Sequence, residues 1–272
     1  MTVIRKVSLR EIVAKPAEAL DVDFLPNKRL KGILIRDIEN IPENLRKITR
    51  AIIEEGANLI IMRPSSPSAR IVDLLYYVEC PEDTEEAIAS RIRELNIAEE
   101  VLIFDTPDER LALNAFFPTL VLGRRAIILR EPVYSGLFNG LREIVTEGGA
   151  KTFLYMIGLR TGEEVAHSLM PIVKSKTILE SLETLGLIGK ALGYGDLEKI
   201  QAVKDTIIYS VQDNWEAAVL RRRYQTPQCY WTKGLLEGFL GELTGYKWKA
   251  EEEECVAMGN KRCRFTLRKE SE

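Results

Sequence analysis

Three of the four cysteines in the chain, Cys229, Cys255 and Cys263, fall within residues 229–263, and four consecutive glutamates, Glu251, Glu252, Glu253 and Glu254, lie among them. Cys255 and Cys263 are equidistant from Gly259, so a short turn centred on that glycine sets them opposite one another across a β-hairpin. Gly259 and Asn260 are the residue types that tolerate the positive φ of such a turn. Cys229 comes from a separate element ahead of a helix, and one of the four glutamates can add an oxygen. Thiolates bind borderline-soft cations such as zinc, and four protein ligands close a tetrahedral site with no position left for water or substrate. A metal held this way is structural. The same residues also suit an arrangement without metal, in which the thiols are small buried hydrophobes and the glutamates form a solvated face. Spacing alone leaves both readings open.

The pattern continues beyond the cysteines. Cys229 is followed by Glu252, Cys255 and Cys263 as Glu-x-x-Cys and then Cys-x3-Gly-x3-Cys-x-Phe, with Asn214-Trp215-Glu216-Ala217 upstream and a glycine-rich helix after Cys229. This resembles the C-terminal half of the 4-vinyl reductase domain, a family that includes the aromatic-sensing domains of phenol- and xylene-responsive bacterial activators. The resemblance runs over residues 108–268. It implies a structural zinc ion held by Cys229, Glu252, Cys255 and Cys263 beside a buried pocket for a small hydrophobic or aromatic molecule. Glu252 and Cys255 have opposite strand parity, so both can face one metal only if the strand is bulged or irregular between them.

A chain of 272 residues with 46% hydrophobic content supports two domains, each with its own core. The 38 basic and 41 acidic side chains leave a net charge of -3, which gives no general attraction for nucleic acid or an anionic membrane. The run Arg221-Arg222-Arg223 reads as a solvated helix end, and direct nucleic-acid binding is not expected. Few cysteines, three of them clustered, point to a reducing cytoplasm and a metal, not a disulfide framework. No signal peptide opens the sequence and no apolar run reaches the length of a membrane span.

The expected fold class is α+β in three stretches. Residues 1–30 form a strand and an arm. Residues 31–107 carry strands at 32–36, 58–62, 70–79 and 101–104. One helix opens at Pro42 and buries Leu45, Ile48, Ile52 and Ile53 until Gly56 stops it. A second, with a capping box from Asp83 and Glu86, buries Ala87, Ile88, Ile92 and Leu95. The order βαββαβ is the ferredoxin-like arrangement, two helices over one face of an antiparallel sheet. Asp37, Pro42, Leu45, Ile48, Gly56 and Asn58 resemble the pattern of the ACT regulatory domain, which implies a homodimer and amino-acid binding after the first strand. Glu43 replaces the usual glycine of that loop.

Residues 108–272 form the 4-vinyl reductase-type α/β domain with its zinc-binding hairpin. A strand is expected at 126–129 and helices at 136–147, from 150 onward, at 181–192 and at 230–243. Strands are expected at 199–204 and 206–212, and Gly158-Leu159-Arg160-Thr161-Gly162 resembles a glycine-containing turn of the family. Gly234, Gly238, Gly241 and Gly245 recur along the last helix. Each interior glycine costs about 1 kcal/mol relative to alanine, so close backbone packing or room for a ligand has to compensate.

Catalytic sets are scarce. His167 is the only histidine and has no nucleophile at a recognisable spacing, and no phosphate-binding glycine motif is present. Enzymatic activity is not the expectation. Aromatic residues concentrate around the cysteines, and Trp215 with Tyr209 and Phe239 is the expected ligand-contact set, with plain core packing as the alternative. An indole N–H can orient a small polar aromatic guest in an apolar cavity. The sequence therefore reads as a cytoplasmic, homodimeric regulatory protein that senses a small hydrophobic or aromatic molecule. The alternatives are a tetrapyrrole vinyl reductase, a tetrapyrrole or hydrocarbon carrier, and an assembly scaffold.

Overall fold

Alternating burial governs the first half of the chain, seen in a computed structural model that describes residues 22–81, 84–173, 175–204 and 206–270. Residues 1–21 of the expected N-terminal arm, and Asp83 of the expected capping box, lie outside these. The chain is mixed α/β and divides into two compact units, one within residues 22–127 and one within residues 128–270.

In the first unit, β1 (Val22–Phe24) is followed by β2 (Lys31–Glu39), α1 (Pro42–Glu54), β3 (Asn58–Pro64), β4 (Ile71–Glu79), α2 (Glu85–Glu94), β5 (Glu100–Phe104) and β6 (Leu111–Leu113). The four central strands pair antiparallel in the order β3-β4-β2-β5. The expected β-α-β-β-α-β succession is present. Period-two alternation divides the sheet between two cores. Ile33, Ile35, Leu74, Tyr76 and Val78 face Ile48, Ile52, Ile88 and Ile92 of the two helices, whereas Leu75 and Tyr77 share the other face with Leu30 and Ala112. There β1 pairs with β6, and the Tyr77 hydroxyl donates to the Leu113 carbonyl at 2.8 Å.

The expected strand at 126–129 does not form. Pairing occurs earlier, between β7 (Leu120–Val121) and β8 (Arg124–Arg125), because Leu122 and Gly123 adopt the positive φ of a tight hairpin turn and leave 126–129 without a partner.

The second unit comprises α3 (Glu131–Ile144), α4 (Glu147–Leu169), α5 (Ile178–Ala191), β9 (Asp196–Val203), β10 (Thr206–Gln212), α6 (Trp215–Ala218), α7 (Tyr230–Thr244), β11 (Trp248–Glu254), a 3-10 turn (Val256–Met258) and β12 (Arg262–Lys269). Its sheet is antiparallel in the order β11-β12-β10-β9. Gly148 and Gly149 do not terminate α3. They lie in the first turn of α4, where the Thr146 hydroxyl accepts from the Gly149 amide at 3.2 Å.

The segment from Gly158 to Gly162 is likewise not a turn, since α4 runs through it unbroken. Gly158 and Gly162 face Gly234 and Gly238 of α7. A Cβ on Gly158 or Gly162 would overlap the Trp231 or Leu235 carbonyl oxygen, and one on Gly234 or Gly238 would overlap that of Tyr155 or Leu159. Close packing therefore offsets the glycine cost at these four positions. Gly241 has only ordinary contact, and Gly245 ends the helix in the left-handed region at φ 70°. Among the described residues no helix is long and apolar enough to cross a membrane.

Candidate functional site

The N-terminus of α7 organises the site. Cys229 occupies the N-cap position but makes no capping hydrogen bond with its side chain. Glu216 on α6 caps the helix in its place, its carboxylate accepting from the amides of Trp231 and Thr232, both at 2.9 Å, and from the Thr232 hydroxyl at 3.1 Å. Asn214 in turn caps α6, accepting from the Glu216 amide at 3.0 Å, and donates to the Thr232 hydroxyl at 3.1 Å. Capping from a neighbouring element satisfies the free amides of the first turn and leaves the Cys229 thiol available.

The other donors come from the β11–β12 hairpin. Its register shifts between Glu252 and Glu254, which is the irregularity that opposite parity demands. Gly259 takes the positive φ of the turn, at 98°. Asn260 does not share it. Its side chain accepts from the Cys255 amide at 3.1 Å and its own amide donates to the Cys255 carbonyl at 3.2 Å, closing the loop.

Cys229, Glu252, Cys255 and Cys263 thereby converge, with one donor atom from each lying within 4.8 Å of the others. The Cys229 sulfur lies 3.5 Å from that of Cys263 and 3.8 Å from that of Cys255. A tetrahedron with metal–sulfur bonds of about 2.3 Å has edges of roughly 3.8 Å, so the spacing fits four-coordinate binding. All three sulfurs are buried. Glu252 accepts from the Cys229 amide at 3.0 Å through one oxygen, while its other oxygen is buried with no hydrogen-bond partner among the described residues.

Burial pushes the Cys229 thiol well above its ordinary value. Burial, reinforced by the charge of Cys255, pushes the Glu252 carboxyl up to about 9. Four donors cannot ionise together in so small a volume unless a cation compensates them, and an orphaned carboxylate oxygen is where a cation would be met. The set can hold a metal ion.

On the other side of α7 lies an apolar cavity of about 180 Å³, bounded by α4, α5, β10 and the first turns of α6 and α7. Tyr209, Trp215, Tyr194 and Trp231 are on its wall, with Thr232 and Asn214 as polar neighbours. Trp215 is ringed by Tyr134, Phe138, Tyr194 and Trp231 at centroid distances of 5.5, 4.9, 5.2 and 5.1 Å. Its indole nitrogen is buried and has no hydrogen-bond partner among the described residues. Gly186 admits the Tyr209 hydroxyl, which lies 3.0 Å from where a Cβ would stand.

The structure thus brings Trp215 and Tyr209 to the cavity but not Phe239, which is fully buried in the core with its amide against Gly162. Trp231 and Tyr194 take wall positions that sequence reasoning did not assign to them. Their signal was position: Trp231 follows Cys229 by two residues, and Tyr194 sits between two glycines.

Comparison with solved structures returns partial likenesses. The phenol-responsive sensory domain of the transcription activator PoxR, with phenol, aligns at 20% identity and TM-score 0.45, covering 54% of this chain and 78% of its own. A vinyl-4-reductase family protein from Methanocaldococcus jannaschii aligns at 23% identity and TM-score 0.35, covering 54% and 85%. Subunit 3 of a trafficking protein particle complex from Naegleria fowleri, covalently bound to palmitic acid, aligns at 12% identity and TM-score 0.41, covering 52% and 93%. No curated protein matches the sequence. A family model does match: residues 207–269, from β10 through the whole thiol hairpin, carry a 4-vinyl reductase domain, the family that the cysteine spacing resembles.

Proposed function

We propose that the second unit is a sensor for a small hydrophobic or aromatic molecule, stiffened by a structural zinc ion at Cys229, Glu252, Cys255 and Cys263. The observation that carries this reading is the aromatic-walled cavity of about 180 Å³ built on the same helix terminus that presents Cys229. Size narrows the guest. An apolar cavity of roughly 150 Å³ holds benzene, so this one suits a single substituted ring and is several times too small for a tetrapyrrole. Trp215 and Tyr209 contact the guest, and the buried indole N–H of Trp215 favours one that carries a hydrogen-bond acceptor. Zinc, when bound, neutralises the thiolates and ties the hairpin to α7. The 4-vinyl reductase match over 207–269 supports the same assignment.

In this reading residues 31–107 are an ACT-like, ferredoxin-like domain through which the protein forms a homodimer in the cytoplasm, and the output passes to another protein. Native mass spectrometry and thermal-shift titration with phenol and toluene test the sensor. One bound molecule per chain and a rise in melting temperature are expected. If neither compound binds, the cavity is not a ligand site. Elemental analysis of protein purified without chelator is expected to give one zinc per chain.

A further inference from the structure

Glu216 is fully buried, lies outside the cavity lining and is not among the metal-donor residues. Each of its three hydrogen bonds reaches the first turn of α7, at Trp231 and Thr232. Those two residues line the cavity, as do Asn214 and Trp215, which immediately precede Glu216. Cys229, two residues before Trp231, is a member of the thiol cluster, and its own amide is held by Glu252. Arg142 of α3 fixes the intervening backbone by donating to the Gln228 carbonyl at 3.2 Å. A displacement of Trp215 or Trp231 by a guest therefore reaches the Cys229 sulfur through one carboxylate and one helical turn.

We propose that Glu216 is a positioning residue for the metal cluster, through which cavity occupancy and metal affinity control one another. The coupling rests on the cavity being a ligand site, whereas the positioning role does not. Thermodynamic linkage makes the effect reciprocal: a guest that alters zinc affinity by some factor has its own affinity altered by zinc to the same extent. Glu216 touches neither the guest nor the metal donors. It fixes where the helix begins, and so where the Cys229 sulfur stands relative to the hairpin.

Zinc affinity by competition with a chromophoric chelator, and the thiolate charge-transfer band of the cobalt-substituted protein, provide the test in the full chain. Glu216→Ala is expected to weaken zinc binding at least tenfold and to shift or weaken the cobalt band. Glu216→Gln keeps an acceptor for Thr232 but turns an amide against the Trp231 N–H, so it should lie between Ala and wild type. If Glu216→Ala does not fold, Thr232→Val, which removes only the hydroxyl, is expected to weaken zinc binding about threefold. Wild-type affinity and spectrum in the folded variant overturn the positioning role. For the coupling, saturating phenol is expected to change the zinc affinity of the wild type at least threefold and to leave that of Thr232→Val unmoved. If phenol binds and zinc affinity stays constant, the coupling is wrong. If neither phenol nor toluene binds, the ligand reading falls and the coupling with it, while zinc affinity still decides the positioning role.

Discussion

Gly158 of α4 and Trp231 of α7 meet backbone to backbone, so closely that a Cβ on the glycine would occupy the space of the tryptophan carbonyl oxygen. Main chain cannot rotate away as a side chain can. Gly158→Ala is therefore expected to destabilise the protein by about 3 kcal/mol, read as a fall of roughly 10 °C in melting temperature. Gly241→Ala on the same helix as Trp231 should do the reverse. Its nearest neighbour lies at 3.6 Å, and relief of the glycine cost is worth about 1 kcal/mol.

Cys255 tests the metal. It is fully buried and 3.8 Å from Cys229, and replacing its thiolate by a hydroxyl removes a strong donor. Cys255→Ser is expected to lose zinc during dialysis, measured by elemental analysis, and to melt roughly 10 °C lower. Chelation of the wild type should produce a comparable drop that added zinc reverses. A variant that melts like the wild type would show that the cluster is only buried thiols.

Glu216 gives stability a pH dependence of definite sign. Burial pushes its carboxyl from 4.5 up to about 7, against the opposing pull of the Thr232 and Trp231 amides. Folding thus favours the protonated form. The stability linked to this proton is fully present below the unfolded value near 4.5 and is lost as pH rises through about 7. The swing is on the order of 3 kcal/mol. Glu216→Gln does not ionise, so urea midpoints of wild type and variant should converge or cross between these values. A constant difference across the range would contradict the assignment.

Gly189 offers a way to fill the cavity without touching its polar groups. It lies on α5, and a Cβ there would have only Tyr194 nearby, at 3.9 Å. Gly189→Leu is expected to weaken phenol binding at least tenfold in calorimetric titration. Helix propensity favours the substitution by about 0.7 kcal/mol, so the melting temperature should hold or rise. Unchanged phenol affinity would place the guest elsewhere.

Legibility in the sequence followed the range of the forces involved. The strands and helices of the first unit were readable because each carries its own period, as Ile33 and Ile35 or Ile48 and Ile52 do. Cys255, Cys263 and the bulge after Glu252 were readable because a single turn relates them. Gly158 and Gly162 misled, since glycine in isolation favours a break, and the reason it does not break α4 is a second helix more than sixty residues downstream. Asn260 was recognised as a turn residue, but its contribution is a side-chain hydrogen bond to Cys255, not a left-handed backbone. Phe239 and Trp231 lie on one helix, and which of them meets the cavity depends on a rotation that α4 imposes from outside.

The glycine seam also determines which wall of the hollow can yield. Where α4 and α7 touch through main chain, neither has a rotamer to surrender, and the two act as one stiff spar. Across from it, α5 leads into Gly193 and Gly195, whose φ values of 82° and 149° leave that connection free of Cβ constraints. A guest too large for the resting shape is accommodated by a swing of α5 about this glycine hinge, and the spar, with the thiols at its tip, serves as the fixed reference against which the swing is registered.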